Sequence, residues 1–228
     1  MQPNAGRLQA AVWCAESVYG ILAAMSTKLR TWVVGSLVAC SLFAFTQTAM
    51  TPVNAPQYTS DGQLKLPENY REWVYLSTGI DMSYTPARPT AGMDHHMFDN
   101  VFANPEAYAS FKRTGTWPDK TMLVLEVRGA QSKGSINQHG NYQGEDLMGV
   151  EVHVKDEARF PGKWAFFGFD DAKTATMTPT AASCYSCHAQ HGAVDTTFVQ
   201  FYPTLLPIAK AKHTLSTGYE KEAAASPK

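Results

Sequence analysis

Alternating apolar and polar residues predict three strands in the middle of the chain. Two segments alternate with period two, and a third is rich in aromatic residues. Period-two alternation between turns that contain Gly or Asp is typical of an antiparallel sheet with one face in water. The three predicted strands are TMLVLEVRG (121–129), LMGVEVHVKD (147–156) and KWAFFGFD (163–170).

The segments around these strands are predicted as helices and loops. A helix is expected over 104–115, because Asn104 can cap it, Pro105 suits its first position and Gly115 ends it. Strands flanked by helices, without the rhythm of parallel crossovers, indicate an α+β fold. We also predict a helix-like opening in 66–84, an exposed hairpin loop over 133–144, a closing helix over 195–212 that bends near its prolines, and a frayed tail after Gly218.

The N-terminal region carries the pattern of an export signal. A basic segment precedes a mostly apolar run, Trp32 to Phe45, and small residues follow it. This order is typical of a cleaved secretory signal, and the run is too short to span a bilayer comfortably. Residues 25–55 are therefore predicted to be a signal peptide, cleaved after Ala55 or Ala49, and the protein is expected in the periplasm.

Two details of this region concern its processing. The signal pattern starts properly at Met25, so residues 1–24 are interpreted as a mis-called N-terminal extension. Residues 37–40, LVAC, resemble a bacterial lipobox, which would make Cys40 a lipidated N-terminus. Because the apolar run continues beyond Cys40, we favour a plain cleaved signal over a lipoprotein.

The remaining residues, 56–228, have a normal length for one domain. The whole chain has 228 residues, is 44% hydrophobic and carries a formal net charge of −1. This composition is that of an ordinary globular protein, and the charge gives no reason to expect nucleic acid or an anionic membrane as a partner.

The motif CYSCH, Cys184 to His188, carries the chemistry. A structural zinc site usually takes two separated ligand pairs, and the adjacent Cys187 and His188 can hardly bind one tetrahedral ion together. A thioredoxin-like dithiol would follow a strand near the start of a βαβ unit. The spacing suits covalent haem, since two thiols can add to two vinyl groups and the next histidine can bind the iron. We predict one haem c on Cys184 and Cys187, with His188 as the proximal metal ligand, at the opening of a short helix; a disulfide or a chance match is the alternative.

The second axial position of this haem is predicted to be open. No methionine follows Cys187, and His153 shares a strand face with Glu151 and Lys155, which favours solvent over iron. Five-coordinate iron can bind a small molecule, whereas six-coordinate iron mainly transfers electrons. The candidates for a sixth ligand are Met82, Met93, Met97, Met122, Met148, His95, His96, His139 and His153.

With these motifs the sequence resembles the cytochrome P-460 family, whose relatives the cytochromes c′-beta share its fold. The resemblance spans about 66–208 and rests on an ordered set of segments: LPENYREWVYLSTG, NPEAYASFKRTGTWPDKTMLVLEV, GVEVHVKD, FPGKWAFFGF and CYSCHAQHGAVDTTFVQFYP. It implies a periplasmic haem protein, commonly dimeric, with an antiparallel sheet over the haem. Some family members oxidise hydroxylamine, and the c′-beta branch binds nitric oxide or carbon monoxide.

Two positions depart from the hydroxylamine-oxidising members that the sequence resembles. In those proteins a lysine just before an acidic strand residue is bonded to the porphyrin edge. Here the acidic residue matches Glu126, and Leu125 precedes it, which cannot form that bond. An arginine of their distal region matches about Asp99. Hydroxylamine oxidation thus loses two specific supports.

A gas-binding haem protein is one function that the resemblance allows. Leu125, with Leu123 and Val127, would form an apolar wall near the open iron face, capped by Phe98 or Phe102. A dry apolar pocket favours neutral diatomic molecules over charged ligands.

A redox enzyme and an electron carrier are the other two functions that stay open. The enzyme would act on hydroxylamine or another small nitrogen oxide, with Glu126 or Asp99 as the catalytic proton acceptor. Alternation places Glu126 opposite Leu125, so only one of the two is expected to face the haem. The expected partners are a small gaseous or nitrogen-oxide ligand and a redox partner cytochrome.

Overall fold

The computed structural model describes residues 53–82, 96–170 and 172–225. These residues belong to one compact unit, Thr51–Lys228. The predicted N-terminal extension, Cys40 and the apolar run of the signal lie outside the described residues, as do two candidate ligands, Met93 and His95.

A five-stranded antiparallel sheet forms the centre of the unit. Its strands are β2 (Val74–Ile80), β3 (Met97–Ala103), β4 (Met122–Gln131), β5 (Tyr142–Lys155) and β6 (Trp164–Phe169). They pair in the order β2-β3-β4-β5-β6, so each strand lies beside the next one along the chain. Two short strands, β1 (Leu64–Lys65) and β7 (Thr174–Ala175), form a separate antiparallel pair.

Four helices accompany the strands, which confirms the α+β prediction. The helix predicted after Asn104 begins at Pro105 and ends before Gly115, whose φ of 78° gives it a left-handed cap. Among the described residues, no helix is long and apolar enough to cross a membrane. The helices are α1 (Pro105–Thr114), α2 (Ser183–His191), α3 (Leu206–Lys212) and α4 (Thr217–Ala225).

Local sequence patterns misjudged the two ends of the domain. The predicted helical opening of 66–84 is a single 3₁₀ turn, Tyr70–Glu72, followed by β2. β2 pairs with β3, a strand that the alternation did not predict, so pairing with a neighbour decides its conformation. The closing helix is reduced to a 3₁₀ turn, Val199–Phe201, and α3, while the tail expected to fray forms α4.

The prediction of one wet sheet face is wrong at the end of β5 that carries His153 and Lys155, because the chain covers both faces there. We call the side of β4 and β5 that carries Val124, Glu126 and Val152 the core face, and the side that carries Leu125 and His153 the cavity face. On the core face Val124 and Val152 are fully buried, and on the cavity face His153 is also buried. The chain after β7 folds back over the cavity face, where Thr196 lies 3.4 Å from His153. His153 and Lys155 of β5 are therefore in contact with this returning segment, whereas Glu151, between them and the middle of the strand, stays exposed.

Candidate haem site

The motif Cys184 to His188 lies on α2, which confirms the short helix predicted there. Both cysteines are unpaired thiols and partly exposed. Residues three apart on a helix lie on the same face, so the two thiols are presented together to one side of α2.

His188 is held through one nitrogen of its ring. Its Nδ1 lies 2.8 Å from the backbone carbonyl oxygen of Thr196. Since a carbonyl only accepts, Nδ1 carries the hydrogen and Nε2 keeps the lone pair. Within the described part of the chain, no hydrogen-bond partner occupies Nε2. Burial lowers the pKa of His188, and the hydrogen bond to the Thr196 carbonyl opposes this with a smaller effect. The lowered pKa favours the neutral imidazole, which is the form that binds a metal.

Aromatic rings surround the His188 imidazole. The ring centroid of Phe198 lies 4.1 Å from that of His188, and Phe166 lies 4.6 Å away, edge to face. His153 is a third neighbour at 5.1 Å, also edge to face. The sequence reasoning expected His153 in solvent; it is instead buried beside the candidate ligand.

A cavity of about 370 Å³ opens beside His188 on the cavity face. Leu125 lies in its wall, together with Leu123 and Val127 from the same strand. The other lining residues are Ser77, Gly79, Met82, Met97, Asp99, Val101, Glu151, Val152, His153, Phe166, Thr197, Phe198, Phe201 and Tyr202.

The residues of this site fit a covalently held haem. The neighbouring thiols of Cys184 and Cys187, the open Nε2 of His188 and an apolar cavity are the chemistry that such a group requires. Two glycines on the cavity face, Gly149 and Gly168, leave open space, because a Cβ at either position would meet no heavy atom within 4 Å.

Comparison with known families supports haem binding. A family model described as Cytochrome P460 matches residues 67–199, more than half of the 228-residue chain. The chain belongs to the cytochrome P460 family. No curated protein matches it. Membership makes this protein a haem-binding cytochrome, and the matched region includes the CYSCH motif, Leu125 and Thr196.

Two carboxylic acids line the cavity of this cytochrome P460 family member. Asp99, predicted from the resemblance, lies in the cavity wall together with Glu151, which is exposed, as its strand face predicts, and borders the open cavity. Burial raises the pKa of Asp99, and the negative charges of Glu151 and Asp81 add to that rise. The register could have revealed Glu151, because it pairs directly with Leu125 across β4 and β5.

Glu126, the other predicted proton acceptor, lies on the core face and does not line the cavity. Its carboxylate is 3% exposed and accepts hydrogen bonds from Tyr70, from Arg71 at 2.6 Å and from Arg128 at 2.5 Å. Burial alone would raise the pKa of Glu126. The hydrogen bonds from Arg128 and Tyr70, and the charges of the two arginines, instead hold that pKa below its ordinary value. Alternation along β4 separates this cluster from Leu125, so the geometry does not support a role for Glu126 at the cavity.

The aromatic caps predicted for the cavity were wrong. Phe102 packs on the core face, where its ring lies 5.8 Å from that of Tyr70, and Phe98 lies an even number of residues away, on the same side. The phenylalanines and the tyrosine that line the cavity are Phe166, Phe198, Phe201 and Tyr202.

The structure sorts the candidate sixth ligands by their distance from the cavity. Met82 and Met97 line it, as does His153. The other candidates within the described residues lie elsewhere: Met122 is buried on the core face, Met148 and His139 are exposed, and His96 pairs with Asp81 at 2.6 Å.

Proposed function

We propose that this protein is a periplasmic mono-haem c-type cytochrome with an open distal site that binds small neutral nitrogen oxides, nitric oxide above all. The observation that carries the proposal is the apolar wall of Leu123, Leu125 and Val127 beside His188. This wall offers no charged group to an ionic ligand, and the carboxyl groups of Asp99 and Glu151 elsewhere in the cavity disfavour anions. A neutral diatomic molecule binds against the wall at little cost in desolvation.

Each residue of the motif has a role in this proposal. Cys184 and Cys187 hold the haem through thioether bonds, and His188 binds the iron through Nε2 while Thr196 holds Nδ1. When bound, the haem supplies an iron centre that takes up a diatomic ligand. Leu125 keeps water and larger molecules away from that centre.

Asp99 is the proposed proton-holding group of the cavity. Burial, with a further contribution from Glu151, raises its pKa. A carboxyl group with a raised pKa takes up a proton more readily and can pass it to a ligand. If the protein turns over hydroxylamine or a related nitrogen oxide, Asp99 is better placed for the proton transfer than Glu126. A redox partner cytochrome would then exchange the electrons.

A plain electron carrier is the second candidate, and one observation favours it. Met97 and Met82 line the same cavity as His188, and thioether sulfur is an axial ligand in electron-transfer cytochromes. A methionine bound to the iron would close the site to gases.

The optical spectrum of the protein, matured in a host with haem-attachment machinery, tests these functions. We expect one covalent haem that Cys184→Ala and Cys187→Ala together abolish, a high-spin ferrous spectrum, and nitric oxide binding without hydroxylamine turnover. A low-spin spectrum in both oxidation states that becomes high-spin in Met97→Leu would show the carrier instead. Steady hydroxylamine oxidation with an added electron acceptor, lost in Asp99→Asn, would show the enzyme.

The export part of the proposal is best served by cleavage after Ala49. The Asn54 amide donates to the Glu106 carboxylate at 3.1 Å, and its oxygen accepts from Trp73 Nε1 at 3.2 Å. Ala55 is buried as well. Cleavage after Ala55 would remove these contacts, so we expect the exported protein to begin at Met50. N-terminal sequencing of the periplasmic protein checks this, and a chain that begins at Pro56 would contradict it.

A further inference from the structure

We propose that His153 is a positioning residue that fixes the orientation of the His188 ring without binding the iron itself. This inference rests on the proposed role of His188 as the proximal ligand. It assigns a function to a side chain that the sequence pattern placed in water.

The ring of His153 packs between two aromatic side chains and the ring of His188. One face of its ring stacks on Phe166, with centroids 4.0 Å apart and planes within 11°, and Trp164 lies 4.4 Å away. The same ring meets His188 edge to face at 5.1 Å. Two aromatic neighbours thus hold His153, and His153 in turn limits the rotation of His188.

His153 also contacts the residue that holds His188 by hydrogen bonding. Nε2 of His153 lies 3.4 Å from Thr196 Oγ1, while the carbonyl oxygen of Thr196 accepts from His188 Nδ1. Nε2 of His153 therefore contacts the same residue, Thr196, that accepts the hydrogen bond from His188 Nδ1. Two axial ligands must approach an iron from opposite sides, so this arrangement suits a support better than a second ligand.

The segment that contains Thr196 is anchored at further points. Lys155, on the same face of β5 as His153, places Nζ 3.3 Å from an Asp195 carboxylate oxygen and donates to the Trp117 carbonyl at 2.7 Å. Trp117 Nε1 donates to Thr197 Oγ1 at 2.8 Å. With the segment fixed on both sides of Thr196, His153 adds a second contact between this segment and the ring of His188, beside the hydrogen bond from His188 Nδ1 to the Thr196 carbonyl.

A positioning role predicts a change in the iron–histidine bond, which resonance Raman spectroscopy of the ferrous, matured protein reports. We expect a single iron–histidine band in the native protein and a broadened or split band in His153→Ala. Thr196→Val removes Oγ1 and keeps the carbonyl, so it should broaden the band less than His153→Ala does. His153→Phe keeps an aromatic ring beside His188, so its band should be nearly as narrow as the native band.

A matched control separates positioning from packing. Val154→Ala removes a fully buried side chain of the same strand from the core face, so it lowers stability without touching His188. If His153→Ala lowers stability but leaves the band as sharp as Val154→Ala does, the inference is overturned. If His153→Ala does not accumulate, His153→Leu fills most of the space without an aromatic ring and takes its place; a native band there overturns the inference equally.

Two further outcomes are distinguishable. A native low-spin spectrum that becomes high-spin in His153→Ala would make His153 an iron ligand and overturn its positioning role. An iron–histidine band that is missing although the ferrous native protein is high-spin, or that persists in His188→Ala, would reject the proposed role of His188 itself.

Discussion

Each face of the central sheet carries one buried or half-buried carboxylate, Glu126 on the core face and Asp99 on the cavity face. Their surroundings shift the two pKa values in opposite directions. On the core face, Glu126 has two arginines and a tyrosine hydroxyl as partners, and its pKa is lowered. On the cavity face, Asp99 pairs with no described cation, and burial together with other carboxylates raises its pKa. A compensated charge stabilises the fold, whereas an uncompensated one is available for chemistry.

This difference follows from what covers each face. The 3₁₀ turn that contains Tyr70 and Arg71 brings polar partners to the core face, close to Glu126. The segment after β7 brings phenylalanines and the His188 helix to the cavity face instead. A single strand, β4, therefore presents a structural carboxylate on one side and an apolar wall on the other.

The largest expected effect comes from removing the charge of Glu126. Glu126→Gln leaves Arg128 without its charge partner, so we expect the free energy of unfolding to fall by about 2–3 kcal/mol. Urea denaturation of the matured protein measures the change. Nitric oxide binding should stay native, because the cluster does not line the cavity.

Asp99→Asn is the matched control on the other face. Here we expect the free energy of unfolding to stay level or rise, by less than about 1 kcal/mol, because the half-buried side chain is partly solvated. A loss of stability as large as that of Glu126→Gln would remove the distinction between the two faces.

Neighbouring apolar residues of β4 should differ in the same way. Val124, on the core face, is fully buried, whereas Leu125 lines the cavity. We expect Val124→Ala to lower the free energy of unfolding by about 1–2 kcal/mol with native ligand binding. Leu125→Ala should cost less stability and change nitric oxide affinity. Paired urea denaturation and ligand titration would contradict this if the two variants had the same profile.

Much of this arrangement was predictable from the sequence. Helix α1 followed from its capping residues, β4 to β6 from alternation or aromatic content, and the haem assignment from the spacing of Cys184, Cys187 and His188. Alternation alone was also enough to place Leu125 and Glu126 on opposite faces of β4. These features depend on short stretches of chain, which local physical rules describe well.

The features that were missed depend on residues far apart in the sequence. β3 forms because it pairs with β2 and β4, and His153 is buried because the segment that contains Thr196 covers it. No pattern within β5 distinguishes a polar residue in water from one that such a segment covers. Glu126 is buried because Arg71, 55 positions earlier, reaches it. Periodicity assigns a side chain to a face but does not tell what covers that face.

The pH dependence of stability should also separate the two carboxylates. The lowered pKa of Glu126 makes its contribution fully present above its ordinary value of 4.5, and lost as pH falls through the folded-state pKa. The raised pKa of Asp99 makes its destabilising effect fully present above the folded-state pKa, and relieved as pH falls toward 3.8. Relative to the native protein, the gain in Asp99→Asn and the loss in Glu126→Gln should therefore keep opposite signs and both shrink as the pH falls. Denaturation curves between pH 7 and the acid limit of folding measure both, and either effect growing toward acid pH would contradict the assignment.

The smallest expected effect concerns the more exposed partner of Glu126. The Arg71 side chain is 49% exposed and that of Arg128 is 20% exposed, so water screens the Arg71 pair more strongly. We expect Arg71→Ala to lower the free energy of unfolding by less than about 1 kcal/mol, part of it from the lost contact with the Tyr70 ring at 4.6 Å. Arg128→Ala should cost more, because it removes the less exposed of the two partners. Urea denaturation at low and high salt measures the two losses in the free energy of unfolding. A larger loss in Arg71→Ala than in Arg128→Ala would contradict this prediction, because the more exposed arginine would then be the stronger partner of Glu126.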